Sequence, residues 1–475
     1  MHQQHGIRTQ HPSYTKLAPV WKKCRDAAEG ERAIHAGGES YLPKLKEETL
    51  DDYKARLDRT PFFGAYWRTI SGLKGMLFRK APLYELPAGT EDIINDIDMA
   101  GTPLDIFAQE LAEELLIVGR IGVLVDHPAE TTDFNDPMQI VTISQAAEAG
   151  LRPTLQKYPA ETIINWKTSR INNVLQSVLI VLKESSHLSS ITEYGHETED
   201  QYRELTLINN NGNYVYRQRL FVVRDDKDIL IDENIPLMDG KPLSEIPFVF
   251  FGVDTASPEP NSPPLEDLLN MNLHHYQVSA DYEHGCHFSG LPTFCISGYS
   301  PPNPSDKVAV GGASALVFTD SAAHAYYAEV SGTFQALLGN LDGKKQEMAI
   351  LGARLLEAQK ASTESAETIR QRNAGENSQL GGMAQIMSLC MEKILIKLFD
   401  WAGYSGFVSY KINNNFVPSG VTPEQITAYL SAVQSGRWSE QTFFYNMQKG
   451  EIYEPGLTFE EEQGRIGSQA PIAVA

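Results

Sequence analysis

Apolar residues recur with helical spacing over two long stretches in the second half of the chain. In residues 332–359 the intervals are three, four and seven, and the apolar positions are Phe334, Leu337, Leu338, Leu341, Met348, Leu351 and Leu355. In residues 364–401 they are Ile369, Leu380, Met383, Met387, Cys390, Met391, Ile394 and Leu398. This spacing predicts two amphipathic helices. At about 1.5 Å per residue they extend over roughly 40 and 55 Å, which is longer than a globular domain usually needs.

Residues 264–288 carry another helical pattern, and a segment rich in proline and glycine separates it from the first long helix. That segment, residues 290–331, contains strand-like runs at 294–297 and 315–318 and a loop of Pro301, Pro302, Asn303 and Pro304. About forty residues rarely supply enough core to fold alone, so we expect the segment to pack on its own helices or on neighbouring copies. Two helices that flank such an insert indicate a subunit of a structural assembly rather than a catalytic pocket.

The first half of the chain predicts helices followed by an antiparallel sheet. Three helical segments are predicted. The first covers residues 45–59, the second starts at Pro61, and the third begins at Thr102 and Pro103 and ends near Gly119. Residues 121–125 read as a buried strand. Short β-rich runs follow at 161–166, 174–182, 203–209, 214–223 and 247–253, with turn pairs at 211–212 and 239–240. The fold class is therefore mixed α/β.

The C-terminal part predicts smaller elements. Residues 407–412 read as a polar strand and residues 422–450 as a helical region. From residue 451 the chain is first acidic and then small and apolar, which predicts a flexible tail.

Composition places the chain among ordinary globular proteins of two to four domains, with 475 residues, 42% of them hydrophobic. There is no run of about 18 apolar residues, which makes a membrane-spanning helix unexpected. The N-terminal residues lack the apolar core of a signal peptide, so we expect the protein to stay in the compartment where it is made. The four cysteines, Cys24, Cys286, Cys295 and Cys390, are too scattered for a disulfide framework and fit a reducing compartment.

The acidic balance argues against tight binding of nucleic acid. The chain carries 61 Asp and Glu against 40 Lys and Arg, a formal charge of −21. Tight binding normally needs a basic patch that releases counterions, and no cluster of Lys and Arg of that kind is visible. Any contact with DNA is therefore expected to be loose. The alternative is that the acidity only keeps a large protein soluble.

Motifs for catalysis are missing from the sequence. The nearest segment to a phosphate-binding loop, residues 339–345, has the wrong spacing and lacks the Ser or Thr that would hold magnesium. Neither a G-x-S-x-G elbow nor an H-E-x-x-H helix is present. We expect neither an enzymatic activity nor a cofactor.

One group of metal-ligating residue types keeps an enzymatic alternative open. It consists of His274, His275, His284, Cys286, His287 and Cys295. Because His284 and His287 are one helical turn apart and a thiol lies between them, a metal-dependent hydrolase is the alternative function. The spacing of Cys286 and Cys295 matches no zinc framework. The competing interpretation is a set of polar helix residues that face neighbouring subunits or solvent.

Lys344 and Lys345 interrupt the apolar stripe of residues 332–359. On an isolated helix such lysines extend to solvent and carry no function. In a ring of helices around a pore they project inward and meet phosphates, together with Arg354 and Lys360. The small polar residues Gln359, Lys360, Ala361, Ser362 and Thr363 predict a loop between the two long helices, where moving parts often lie.

Several segments together carry a resemblance to a known family. They are residues 55–57, 61–63, 72–80, 119–126, 158–166 and 351–356, and the helix 364–380 with Arg370, Glu376 and Ser378. In this order they resemble the portal proteins of tailed bacteriophages, in a short-tailed-phage-like group catalogued as a domain of unknown function. The resemblance covers roughly residues 14–464.

The resemblance implies a homo-oligomeric ring, usually a dodecamer, at one capsid vertex of the virion. Double-stranded DNA is packaged and ejected through its channel without sequence specificity. The implied partners are the large terminase subunit, a head–tail adaptor, and capsid and scaffolding proteins, with assembly in the host cytoplasm and no membrane. Another virion ring connector is the alternative within this structural class.

The resemblance also implies a division of the chain into domains. Residues 1–262 form a wing, with its β-rich part at 151–253. Residues 263–288 and 332–360 form a two-helix stem, 289–331 a small α/β clip, and 359–365 a tunnel loop. Residues 364–410 form a long spine helix with a return strand, kinked at Gly381 and Gly382, and residues 411–475 form a small helical crown and a tail.

Overall fold

The computed structural model describes residues 6–127, 152–187, 198–210, 212–290, 293–298, 322–328, 334–353, 366–414, 416, 423–449, 452–453 and 457–468. The chain divides into two compact units, and each unit is discontinuous in sequence. The first unit comprises Met1–Arg25, Ile70–Pro264 and Ala358–Ala475, and the second comprises Asp26–Thr69 and Leu265–Glu357. The predicted mixed α/β class is confirmed, since both units contain helices and antiparallel strands.

The helices are numbered along the chain. They are α1 (Pro12–Glu29), α2 (Glu31–Gly37), α3 (Leu50–Arg59), α4 (Ala65–Leu77), α5 (Glu91–Asn95), α6 (Leu104–Val118), α7 (Glu266–Gly290), α8 (Gln335–Met348), α9 (Ala366–Trp401), α10 (Pro423–Gln434), α11 (Glu440–Lys449) and α12 (Phe459–Ser468). A π-helical turn, Ala349–Ala353, follows α8 directly.

The strands are β1 (Leu83–Glu85), β2 (Arg120–Asp126), β3 (Thr154–Pro159), β4 (Ile163–Ile171), β5 (Val174–His187), β6 (Thr198–Asn210), β7 (Asn213–Arg224), β8 (Lys227–Asn234), β9 (Leu237–Met238), β10 (Lys241–Pro242), β11 (Phe248–Gly252), β12 (Thr293–Ser297), β13 (His324–Ala328) and β14 (Ser409–Lys411). All pairings between them are antiparallel within the described residues.

A five-stranded sheet in the order β4-β5-β6-β7-β8 forms the centre of the first unit. The strand-like runs predicted between residues 151 and 253 are confirmed as β4 to β7 and β11. The sheet shares a core with the three-stranded sheet β11-β2-β3, made of Leu124, Tyr158, Ile163, Trp166, Ile180, Leu182, Leu205, Tyr216, Ile246, Phe248 and Phe250. The hairpin predicted at residues 211–212 is also confirmed, because Asn210 pairs with Asn213 across it.

The helix expected from Pro61 begins four residues later, at Ala65. The reason lies in the second unit, where a buried side chain of α7 binds the backbone before the helix. Asn272 Nδ2 donates to the carbonyl of Phe63 at 2.8 Å, and Asn272 Oδ1 accepts from the amide of Tyr66 at 3.1 Å. Backbone groups bound in this way do not continue a helix toward the N-terminus.

Two other helix starts also differ from the sequence prediction. The helix expected over residues 45–59 begins at Leu50, because the Thr49 hydroxyl caps it by accepting from the Asp52 amide at 3.1 Å. The N-cap of α6 is Pro103 rather than Thr102. The predicted end of α6 is confirmed, and its C-cap Gly119 has a left-handed φ of 79°.

The helix expected over residues 332–359 is shorter than predicted. It ends at Met348, where the π-helical turn begins, and residues 354–365 lie outside the described chain. The helix expected over 264–288 is confirmed as α7 and the one over 364–401 as α9. The run at 294–297 is confirmed as β12, and its partner is β13, which the sequence pattern did not predict. The run at 315–318 lies outside the described residues.

The C-terminal part contains more structure than expected. The helical region 422–450 divides into α10 and α11 at Gly436, whose φ is 70°. The prediction of a flexible tail is wrong for residues 459–468, because they form α12. A capping box starts this helix: Thr458 Oγ1 accepts from the Glu461 amide at 3.2 Å, and Glu461 Oε2 accepts from the Thr458 amide at 2.9 Å.

Candidate functional site

Helices α7 and α8 of the second unit pack against each other in opposite directions. Their contacts give the direction, because residue numbers rise along α7 as they fall along α8. A Cβ placed on Gly352 would lie 2.8 Å from Leu268 Cδ2, whereas one placed on Gly285 would lie 2.6 Å from the ring of Phe334. Between these ends, the charges of the α8 lysines act on His275 of α7. Strands β12 and β13 lie between the two helices in sequence and pair with each other, so the segment has the order helix, small sheet, helix.

The two lysines of α8 differ in exposure. Lys344 is three residues after the buried Leu341 and four before the buried Met348, which places it on the packed stripe, half-buried. Lys345 is 48% exposed, and its Nζ is 3.7 Å from Asp342 Oδ1. Lys344 is therefore the less exposed of the two, and both positive charges act on His275 of α7, with Lys345 having the larger effect.

The apolar stripe predicted for this helix stops at Met348. Leu351, expected on the stripe, is 42% exposed, so the prediction is wrong at this position. The physical cause is the π-helical turn, whose wider winding rotates the following side chains away from the packed face. Leu355 lies outside the described residues.

His275 lies between the two helices and is only 5% exposed. Neither ring nitrogen has a hydrogen-bond partner among the described residues, and the ring of Phe63 lies at 5.5 Å between centroids. Burial, followed by the positive charges of Lys345 and Lys344, lowers the pKa of His275 to about 4. The imidazole is therefore neutral at pH 7, and the site carries two cations rather than three.

Removing both lysines by Lys344→Ala and Lys345→Ala is expected to raise the pKa of His275. A nearby positive charge disfavours the imidazolium, so its removal favours protonation. Burial remains, and the pKa should therefore stay below the ordinary value of 6.5. An NMR titration of the imidazole measures this shift. The matched variant Gln346→Ala alters the same helix without changing its charge and should leave the pKa of His275 unchanged. If the pKa of His275 were also unchanged in the lysine variant, the two lysines would not lie near the imidazole.

The structure does not assemble the histidines and cysteines into a metal site. Adjacent residues point differently: His274 is exposed and His275 is buried. In the described part of the chain, no three His, Cys, Asp or Glu side chains lie close enough to hold a metal ion together. The competing interpretation, polar residues facing subunits or solvent, is wrong for His275, because its ring packs inside the second unit.

Several other predicted site residues lie outside the described residues. These are Arg354, Gln359, Lys360, Ala361, Ser362 and Thr363 near the predicted tunnel loop, and Pro301, Pro302, Asn303 and Pro304 of the predicted clip loop. Gly381 and Gly382 lie half-buried within α9, which runs without interruption from Ala366 to Trp401. The roles assigned to these residues stay predictions.

Sequence reasoning missed a buried ion pair that supports α3 beside α7. Arg56 Nε donates to Glu48 Oε1 at 2.7 Å and Nη2 donates to Glu48 Oε2 at 2.8 Å. Both side chains are almost fully buried, with exposed fractions of 3% and 4%. The only signal in the sequence is that Arg56 belongs to one of the segments that carry the family resemblance.

Residues 264–402 match a family described as "Domain of unknown function (DUF4055)". These residues include α7, β12, β13, α8 and α9. The resemblance drawn from the sequence, to a group catalogued as a domain of unknown function, is confirmed over this part of the chain. None of the curated proteins matches the chain.

Solved structures of gene transfer agent (GTA) particles are similar to the chain at low identity. The "Neck of native GTA particle computed with C12 symmetry" is 12% identical, with 87% of this chain and 97% of that chain covered and a TM-score of 0.41. The "Neck of empty GTA particle computed with C6 symmetry" is 11% identical, with 82% and 90% covered and a TM-score of 0.41. TM-scores below 0.5 do not establish a common fold, and no role follows from these likenesses.

A membrane-spanning helix is not found in the described residues, where each helix is either too short or too polar.

Proposed function

We propose that the chain is the subunit of a phage portal, a ring at one capsid vertex through which DNA enters and leaves the virion. The observation that carries the proposal is the antiparallel pair α7 and α8, separated in sequence by the paired strands β12 and β13 and followed by the 36-residue helix α9. This is the stem, clip, stem and spine order of the portals that the sequence resembles. The family match covers the same elements.

In this proposal each part of the chain has a place in the ring. Residues 263–288 and 332–360 form the stem and 289–331 the clip, which meets the terminase during packaging and the head–tail adaptor later. Residues 359–365 form the tunnel loop, 364–410 the spine and 411–475 the crown and tail. The wing is residues 1–262, although Asp26–Thr69 belong to the same compact unit as the helix pair.

The charge of the chain supports a channel rather than a DNA-binding surface. A net charge of −21 per subunit repels phosphate, and a ring multiplies that charge. A conduit has to let the polymer slide, which a deep binding minimum would prevent. Two lysines per subunit on α8 supply sparse positive charge where the channel wall is proposed.

Ring assembly is the direct test. Purified protein is expected to give a mass near twelve times that of the 52.8 kDa chain by light scattering, and rings with a central hole by negative-stain electron microscopy. The microscopy separates rings from amorphous aggregates of similar mass. A mass of one chain at every protein concentration tested, up to crowded conditions, would overturn the proposal.

A further inference from the structure

Two apolar patches are exposed at opposite edges of the five-stranded sheet in the first unit. On the β8 edge, Ile229, Leu230 and Ile231 are 40%, 44% and 48% exposed. At the tip of the β4–β5 hairpin, Val174 and Leu175 are 57% and 60% exposed. Successive side chains of a strand point to opposite faces, so Ile229 and Ile231 lie on one face of β8 and Leu230 on the other. An edge strand that is apolar and exposed on both faces presents a surface that another chain can cover. We name these surfaces the β8 patch and the hairpin patch.

The charges beside the two patches have opposite signs. Asp232 and Glu233 continue the β8 patch and are exposed. Lys167 and Arg170 are exposed on β4, and Arg170 pairs directly with Leu175 of the hairpin patch. Local partners engage these groups only weakly: Glu233 accepts from Arg217 at 3.5 Å, and Arg170 donates to the Asn173 carbonyl at 3.2 Å. Each patch therefore combines apolar surface with a charge complementary to the other.

The register of the sheet separates the two patches within one copy. Trp166, Ile180, Leu205, Gln218 and Asn234 form one row across the five strands. The hairpin patch lies beyond this row on one side, and residues 229–231 lie beyond it on the other. The patches thus lie toward diagonally opposite corners of the sheet, about three strand spacings of 4.8 Å apart across it, and do not meet in the same molecule.

We propose that the hairpin patch of one copy docks on the β8 patch of the next copy. Two different surfaces then meet, which is a heterologous contact, and repetition of such a contact closes a ring when the rotation permits. Because the patches are diagonal, the sheet is inclined to the plane of that ring. This inference rests on the proposed portal function, since the ring supplies the neighbouring copy.

The other explanation of the charges is protection. Charged side chains and irregular pairing on an edge strand prevent association with other strands. The β7–β8 pairing does have an irregularity between Leu220 and Phe221. Protective charges and docking charges differ in one respect: only docking charges have a specific complement on the opposite edge.

A charge-reversal experiment distinguishes the two explanations. The first variant is Lys167→Glu with Arg170→Glu, and the second is Asp232→Lys with Glu233→Lys. Each places like charges at every contact of a ring, so the protein concentration at half-assembly should rise by roughly tenfold or more. In an equimolar mixture the two variants can alternate around the ring, so that opposite charges meet at every contact. The mixture should therefore assemble within about twofold of the wild-type concentration. Lys16→Glu with Lys23→Glu, exposed positions on α1, is the matched control and should assemble normally.

The outcomes separate this inference from the proposed function. Recovery in the mixture cannot come from misfolded protein, because each variant has to contribute an intact patch. If wild-type protein forms rings and both variants form them equally well, the docking inference is overturned while the portal proposal stands. The same holds if the variants fail alone and in the mixture although circular dichroism shows both folded. If wild-type protein forms no ring, the portal proposal and this inference fall together.

Discussion

Glu48→Ala is expected to destabilise the second unit by about 3–5 kcal/mol, which is a large fraction of the stability of a domain. The carboxylate of Glu48 accepts two hydrogen bonds from Arg56 and a third from the Leu45 amide at 3.0 Å. Among the described residues, alanine would leave the buried guanidinium of Arg56 with one hydrogen bond, to the Pro43 carbonyl at 2.9 Å, beside the ring of Tyr53 and the more distant charge of Asp281. The cost comes from the unpaired charge rather than from the lost contact area.

The double variant Glu48→Leu with Arg56→Met separates these contributions. It removes both charges and keeps the volume, so it should cost much less than Glu48→Ala. Chemical denaturation measures the free energy, and hydrogen exchange of amides in α3 and α7 assigns the transition to the second unit. A loss below about 1 kcal/mol for Glu48→Ala would mean that the pair behaves as an exposed salt bridge.

The same pair sets an acid limit on stability. The hydrogen bond from Arg56 and then the one from the Leu45 amide hold the pKa of Glu48 at about 2, against an ordinary value of 4.5. As the pH falls, Glu48 is protonated in the unfolded chain before it is protonated in the folded one. The contribution of Glu48 to the free energy of unfolding is therefore complete above about pH 4.5 and is lost as the pH falls toward 2. His275 acts in a higher window: its lowered pKa makes stability fall between pH 6.5 and about 4.

Much of the element order could be predicted from the sequence because it depends on local patterns. Helical periodicity located α7 and α9, alternation located β4 to β7, and a turn pair located the β6–β7 hairpin. The local pattern was also present for α12, where Thr458 and Glu461 form a capping box, yet the acidic composition was interpreted as a flexible tail. The spacing of Thr458 and Glu461 is therefore a better indicator of this helix than the acidic composition is.

The remaining features depend on residues that are distant in sequence. Nothing local shows that α8 ends in a π-helical turn at Met348, because Leu351 continues the apolar spacing without interruption. Arg56 and Glu48 are eight residues apart, which is not the three- or four-residue spacing of a helix pair, and only the packing of the second unit brings them together and buries them. The effect of the two lysines on His275 likewise requires the antiparallel packing of α7 and α8. Site geometry of this kind is tertiary, so periodicity does not predict it.

Replacing both lysines of α8 by alanine is expected to leave ring assembly intact and to reduce DNA packaging or retention by about tenfold or more. In a ring of about twelve copies the change removes two positive charges per copy from the proposed channel wall, and each cation near a phosphate contributes through counterion release. Two quantities are measured: the fraction of particles that are filled with DNA, and the loss of DNA from filled particles on dilution. Lys344→Arg with Lys345→Arg keeps the charge and should behave as wild type.

The controls divide the effect of charge from the effect of helix packing. Gln346→Ala with Glu347→Ala changes two exposed residues of the same helix and should package normally, since it leaves both lysines in place. Lys344 is half-buried and Lys345 is 48% exposed, so Lys345→Ala alone should account for most of the defect if the exposed ammonium contacts DNA. An equal defect from Lys344→Ala alone would mean that the defect does not follow the exposure of the ammonium group. Wild-type packaging and retention in the double alanine variant, with rings intact, would remove these lysines from the channel wall.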